Sequence, residues 1–311
     1  MGSQMLDARQ LEALAAVLEQ GGFGPAAQAL NVTLAAVSLR IKGLEAALGQ
    51  RLLVRGKTVR ATPAGQALLA HVKQLRLMEA DLVTGLQGPG LSGTDPQWQR
   101  LSVAVNADSL ACWFLPGVAA LLMQHQLLVE VVIDDQDHTY ESLKNGDVVG
   151  CVSTQKLPMR GCLAEPLGVM RYRCVAAPAL VQQCRTEGGS VSVHQLLATP
   201  AVCFNRKDGL LDAFLNQHFA LSAPQYPRHF VPAVDAYECA LEQGLGWGMA
   251  PDLQLVARAG RPPLHEMLPG SAVDVALYWH HWEREPVSAQ RLTRAVKQAA
   301  RQALLQNDGA V

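Results

Sequence analysis

Between Phe23 and Gly49 the apolar residues fall into two short helical registers separated by a break. Ala26, Ala27 and Leu30 are small or apolar at helical spacing, Asn31-Val32 interrupts them, and Thr33 is placed to cap a second helix through its side-chain oxygen. In that second helix Val37, Ile41, Leu44 and Leu48 recur at i, i+4, i+7 and i+11, which predicts one buried stripe. Its far side carries Ala35, Leu39, Lys42 and Ala46, with Ser38 and Arg40 at the flanks. An opening helix over residues 7–19 presents Leu11, Leu14 and Leu18 and ends at Gly21-Gly22. Residues 52–55 and 58–61 read as short extended runs around Gly56-Lys57, a hairpin with cations at its tip. Thr62-Pro63 then starts a long helix in which Leu68, Val72, Leu75, Leu82 and Leu86 advance in steps of 4, 3, 7 and 4, with Glu79 interrupting. Such a stripe on a helix projecting from a small domain predicts burial against its copy in a second subunit, the alternative being packing on its own domain.

Gly, Pro and Ser dominate residues 87–97, the composition of a hinge. Beyond it strands at 101–105, 127–133 and 148–152 alternate with helices at 109–124 and 140–145, a rhythm that predicts a parallel sheet covered by helices. A second cycle places strands at 172–176, 201–204, 229–231 and 247–250 and helices at 193–198, 210–218 and 235–243, followed by a strand at 273–279 and a last helix at 288–305. The expected organisation is multidomain. An all-α winged helix-turn-helix unit (5–62) leads into a linker and dimerisation helix (63–87), a hinge (88–98) and a two-lobed α/β domain (99–305). Lobe I takes residues 99–166 and 273–305, and lobe II residues 167–272.

The chain has 311 residues, 49% hydrophobic and 17% charged, enough for two or three domains with real cores. No run approaches the length of a membrane span and no secretory signal pattern opens the chain, so a cytoplasmic location is expected. The net charge of −1 conceals a local excess: six cations lie between Arg40 and Arg60 against Glu45 alone. That is the electrostatic footprint of a nucleic-acid-binding module attached to something else. Seven cysteines without a C-x-x-C pair suggest neither a disulfide framework nor a zinc site, and His280-His281 stands without the partners a metal needs.

With these elements in this order, the chain resembles the LysR-type transcriptional regulators over essentially its whole length. The resemblance is carried most specifically by Ala26-Ala27, Leu30, Val32-Thr33, Ala36-Val37-Ser38, Ile41, Leu44-Glu45, Leu48-Gly49, Leu52-Leu53, Arg55, Thr62 and Gly65. Within that family it resembles the ArgP and LysG group, regulators of basic amino-acid export, in residues 104–111, 150–153, 213–215 and 277–280. The resemblance implies a periplasmic-binding-protein-like effector domain and, as partners, double-stranded DNA, a second and further copies of the chain as dimer or tetramer, and RNA polymerase at the promoter. It implies a small effector and no cofactor or metal.

Phosphate neutralisation falls to Arg55 and Lys57 on the wing and Arg40 and Lys42 on the second helix. By resemblance Thr33, Leu34, Ala35, Ser38 and Leu39 face the major groove, although Leu34 and Leu39 depart from the polar residues usual there and suit thymine methyl groups instead. In the two-lobed domain, ligands are expected at the carboxyl ends of the strands. Those ends present Asn106, Asp108, Ser109, Asp134, Asp135, Thr154, Asn205, Asp208 and, at a helix entry, Asp235. Ser109 and the free N–H groups opening its helix could hold a carboxylate, and the aspartates a cationic side chain. A basic amino acid, lysine or arginine, has both features. Aspartate is also a common helix cap, so about two of the five are expected to serve ligand. Other readings are a regulator sensing another small acid or an oxidant, a chromosome-architecture protein, or an α/β enzyme, the last with no nucleophile elbow or phosphate loop to support it.

Overall fold

The computed structural model describes residues 6–54, 56, 58–87, 98–133, 136–258 and 260–306. Three helices, α1 (Ala8–Glu19), α2 (Phe23–Ala29) and α3 (Leu34–Leu48), enclose a core of Leu14, Val17, Ala26, Val37, Ile41 and Leu44. Their ends follow from local chemistry. Asp7 accepts backbone hydrogen bonds at the start of α1, the Thr33 hydroxyl accepts one from Ala36 N at 3.1 Å, and Gly49 ends α3 in the left-handed conformation. Strands β1 (Leu53–Val54) and β2 (Arg60–Ala61) pair antiparallel as the wing. Glu45, the one anion of the basic stretch, accepts from Leu52 N at 2.8 Å and so ties α3 to the wing.

Helix α4 (Pro63–Gln87) opens with the Thr62 hydroxyl accepting from Gly65 N at 3.1 Å. The single seam expected along it divides into two surfaces. Val72 is buried in the core of the winged domain, with Leu68 and Leu75 packed half-buried beside it, whereas Leu82 and Leu86 are 61% and 74% exposed. The first turns of a helix that starts inside a domain are used by that domain, which corrects the assignment of Val72 to a subunit seam. The middle of α4 is fixed on both sides: Arg76 pairs with Glu12 and Glu19 of α1, and Lys73 with Asp147 of the next domain at 2.6 Å.

That domain runs through β3 (Gln99–Ala104), α5 (Ala107–Gln124), β4 (Leu127–Val132), α6 (Gln136–Lys144), β5 (Gly150–Ser153) and β6 (Cys162–Ala176). It continues with α7 (Pro178–Gln183), α8 (Val193–Ala198), β7 (Ala201–Cys203), α9 (Leu210–Phe219), β8 (Arg228–Phe230), α10 (Val234–Glu242) and β9 (Gly248–Pro251). It closes with α11 (Asp252–Val256), β10 (His265–Glu266), β11 (Val273–Trp282) and α12 (Val287–Ala303). The main sheet has the order β10-β6-β11-β5-β3-β4, with β9 also on β6. The three strands expected to run parallel do so, β3 pairing with β4 and with β5, and among the described residues the pairings of β6, β9, β10 and β11 are antiparallel, which makes the whole sheet a mixed one. The reason is β6, fifteen residues long, which pairs with β11 through both lobes. Pro166 and Gly168 break its alternation in the sequence and hide its first half.

The lobes meet where β6 bends at Gly168, whose φ is +133°, and where the β6–β11 register shifts between Leu277 and Tyr278. Beside this bend the chain after α12 forms an antiparallel bridge from Leu305 to Val169. Contrary to the sequence expectation, α5 is long and apolar enough to cross a membrane by length and mean hydropathy (1.3). Its Trp113, Phe114, Val118 and Leu122 are buried in the core of lobe I, the one-sided burial of a surface helix of a globular domain.

Candidate functional site

On the winged domain, α3 stands with Thr33, Leu34, Ala35, Leu39 and Lys42 exposed and Ser38 and Arg40 half-buried. Leu34 and Leu39 are 58% and 72% exposed, so both are outward-facing side chains rather than part of the domain core. Large apolar groups held in water on a helix flanked by cations suit contact with base methyl groups. Arg55 and Lys57, expected at the wing tip, lie outside the described residues. Replacing Thr33 by Ala removes the cap at the end of the helix that carries these side chains. It is expected to lower the domain's stability by about 1 kcal/mol, read by thermal unfolding, with a parallel loss of DNA affinity.

The second site forms where α5 leaves β3. Asn106 stands just before the helix without a side-chain capping bond, its Oδ1 buried and without a partner. Ser109, one turn on, is fully buried and its hydroxyl is also unpartnered. A π-turn over Leu110–Phe114 follows at once, a widening often found beside functional sites. Between these two residues Asp108 Oδ2 accepts a hydrogen bond from the Tyr172 hydroxyl at 2.8 Å. Asp108 belongs to lobe I and Tyr172 to the lobe II half of β6, so this bond joins the two lobes. Burial raises the Asp108 pKa above the ordinary carboxylate range, the Tyr172 bond opposes the rise, and the charges of Asp208 and Glu238 add to it. Among the described groups that act on Asp108, none is a cation.

The other expected ligand residues fare differently. Asp208 accepts from Phe204 N and Leu210 N, both at 3.0 Å, which makes it the brace between β7 and α9 as well as a neighbour of Asp108. Asn205 accepts from Lys207 N in the same turn, and Thr154 follows β5 half-buried. Asp134 and Asp135 lie outside the described residues, as do residues 88–97 of the expected hinge. Asp235 is exposed in the first turn of α10, and the acid of that helix that acts on Asp108 is Glu238. Helical spacing places Glu238 beside Tyr237 and Leu241 on the inward side of α10, a signal passed over in favour of the helix entry. Glu238 and Glu242 are buried against Arg258 and Arg261. Arg206, next to Asn205 after β7, stacks on Phe230 at 4.7 Å.

Away from the crevice, His281 lies 3.2 Å from a Glu285 oxygen and 3.4 Å from a Glu165 oxygen. Burial lowers its pKa, but the hydrogen bond and charge of Glu285 and the charge of Glu165 more than reverse this. Among the described residues no three His, Cys, Asp or Glu side chains gather as a metal site would require. Burial pushes the Cys174 thiol well above its ordinary pKa and the Cys151 thiol up to about 12, which leaves them protonated and poor oxidant sensors.

A winged reading head, a long connecting helix and a two-lobed domain with a polar crevice define a ligand-responsive regulator of transcription. Residues 8–66 match the model for the bacterial regulatory helix-turn-helix protein, lysR family, and residues 97–301 that for the LysR substrate binding domain. The chain belongs to the LysR family of DNA-binding transcriptional regulators. The transcriptional regulator ArgP of Pseudomonas fluorescens (strain Pf0-1) is 39% identical over 281 residues, 89% of this chain and 91% of that protein. The crystal structure of ArgP from Mycobacterium tuberculosis superposes with a TM-score of 0.86 at 36% identity, over 97% of this chain and all of that one. Full-length LysG from Corynebacterium glutamicum with bound effector Arg gives a TM-score of 0.81 at 30% identity, over 96% of this chain and 99% of that one. These relatives are regulators, and the enzyme reading falls away.

Proposed function

We propose that the chain senses a basic amino acid, arginine or lysine, in the crevice between its lobes and thereby controls transcription of an amino-acid exporter. The observation that carries this is the set at the start of α5: two buried, unpartnered polar atoms on Asn106 and Ser109 flank Asp108, a buried acid whose charged neighbours are acids. Unpaired buried polar groups are costly, and an α-amino acid would satisfy them. Its carboxylate takes the Ser109 hydroxyl and the helix N–H groups, and a cation relieves Asp108. The arginine in the LysG relative supports the same ligand class. Domain roles follow the sequence division: the winged unit (5–62) reads DNA through Thr33, Leu34, Ala35, Ser38, Leu39, Arg40, Lys42, Arg55 and Lys57. The exposed Leu82 and Leu86 of the linker helix pair with a second copy, and the assembled oligomer acts on RNA polymerase at the promoter.

The test is a thermal-shift series on the purified protein. Arginine or lysine is expected to raise the unfolding temperature more than leucine or glutamate, because a ligand that binds only the folded state stabilises it by mass action. Equal shifts for all four would sink the basic-ligand assignment.

A further inference from the structure

The two lobes are joined by β6 and β11, which bend at Gly168 and at the Leu277/Tyr278 register shift. A third segment lies across this junction. The chain leaves α12, which packs on α5 in lobe I, buries Leu304, and then pairs Leu305 with Val169, the first residue beyond the bend. Val169 N donates to Leu305 O at 2.9 Å and Leu305 N donates to Val169 O at 3.1 Å. The Gln306 side-chain amide lies within hydrogen-bonding distance of the carbonyls of Leu167, Ala300 and Leu304, at 3.3, 3.4 and 3.1 Å, and so ties the end of the chain to the residue just before the bend, while Leu305 holds the residue just after it.

Gly168 is shaped by the same contact. A Cβ there would stand 2.8 Å from Leu305 O and 2.9 Å from the Leu304 Cβ, in a backbone conformation that other residues rarely adopt. Leu305 and Gln306 are nevertheless exposed. A segment held by a few solvent-facing hydrogen bonds and one buried anchor detaches at far lower free energy than the sheet beneath it.

We propose that residues 304–306 form a releasable strap that sets the angle between the lobes. Attached, it resists rotation about Gly168 and favours the closed arrangement in which Tyr172 of lobe II reaches Asp108 of lobe I. Released, it leaves β6 and β11 as the remaining connection at the bend and the lobes open more readily. The device itself does not depend on the identity of the effector; its consequence for binding rests on the crevice being the effector site. A smaller closed fraction weakens apparent affinity in proportion.

Two full-length-derived proteins test it, one ending after Gln306 and one after Leu304, compared without ligand by hydrogen exchange. The shorter chain is expected to exchange at least tenfold faster at the Val169 amide and in the peptides carrying Tyr172 and Tyr278, with α12 and β3 unchanged. Gln306→Ala in the full chain is expected to reproduce a smaller part of the effect. Arginine affinity, read separately, should fall in the shorter chain while DNA retention persists. Equal exchange at the bend in both proteins would overturn the strap, as would loss of protection throughout lobe I, which would make the segment ordinary core. If exchange responds but neither protein binds arginine or lysine, the strap stands and the effector assignment fails.

Discussion

Replacing Asp108 by Asn is expected to lower arginine or lysine affinity by about 30-fold or more while leaving retention of promoter DNA intact. The size follows from removing one member of a buried charge pair, about 2–5 kcal/mol, at 1.4 kcal/mol per tenfold. The substitution keeps shape and can still accept from Tyr172, so the loss isolates charge from hydrogen bonding. The free protein should not suffer, because its Asp108 is a buried acid beside Asp208 and Glu238, and removing its charge relieves that repulsion. The pH dependence has a definite sign. With a folded pKa raised above the unfolded value, Asp108 favours the folded state at pH below the unfolded pKa, and that contribution is lost as pH rises through the folded one. Affinity for a cation should therefore climb over the same interval as the carboxyl ionises, and the Asn variant should lose that climb. Unchanged affinity on calorimetric titration would remove Asp108 from the site.

The second large effect is expected at Gly65. Alanine within a helix ordinarily gains about 1 kcal/mol over glycine. Here its Cβ would stand 2.1 Å from Leu52 O and 3.0 Å from Leu52 C, where the backbone enters the wing. Neither atom is the end of a flexible side chain, and Leu52 is held by Glu45 and Thr62. Overpacking costs about 1–3 kcal/mol, and a clash with fixed backbone stands at the upper end of that range, so it outweighs the helix gain. Gly65→Ala should unfold the winged domain at lower temperature and abolish DNA retention, while arginine binding at the crevice survives. A variant that folds and binds DNA normally would show that the contact between α4 and the wing yields easily.

The winged domain was legible because its signals are local. Thr33, the Val37-Ile41-Leu44 stripe, Thr62-Pro63 and Gly65 each act within a few residues, and a linear reading reaches that far. The two-lobed domain was legible in its helices, its short strands and the parallel direction of β3, β4 and β5, but not in the antiparallel part of its sheet. Whether β6 runs antiparallel to β11 depends on partners about a hundred residues apart, and Gly168 disguises one long strand as a short one. Asn106, Asp108 and Ser109 were singled out through their place after a strand. Glu238 and Tyr172 were missed because they come from the middle of a helix and of a strand, where a polar residue carries no local mark of facing a site. Val72 was misplaced for the opposite reason: its spacing fits a subunit seam and a domain core equally well, and only the packing of α1 against α4 separates the two.

Helix α4 has a consequence of its own. Val72 is locked into the winged core, Lys73 reaches Asp147, Leu77 packs on the core of the two-lobed domain, and Asp81 accepts from Ser288 N at 3.0 Å. One rigid rod therefore engages both domains, as a key engages two tumblers cut at fixed angles. An inserted residue between these contacts would turn one end by about 100° and advance it by about 1.5 Å. No adjustment of side chains absorbs that rotation. The length of this helix is thus phased like a gear, free to vary in composition between its contacts but not in count.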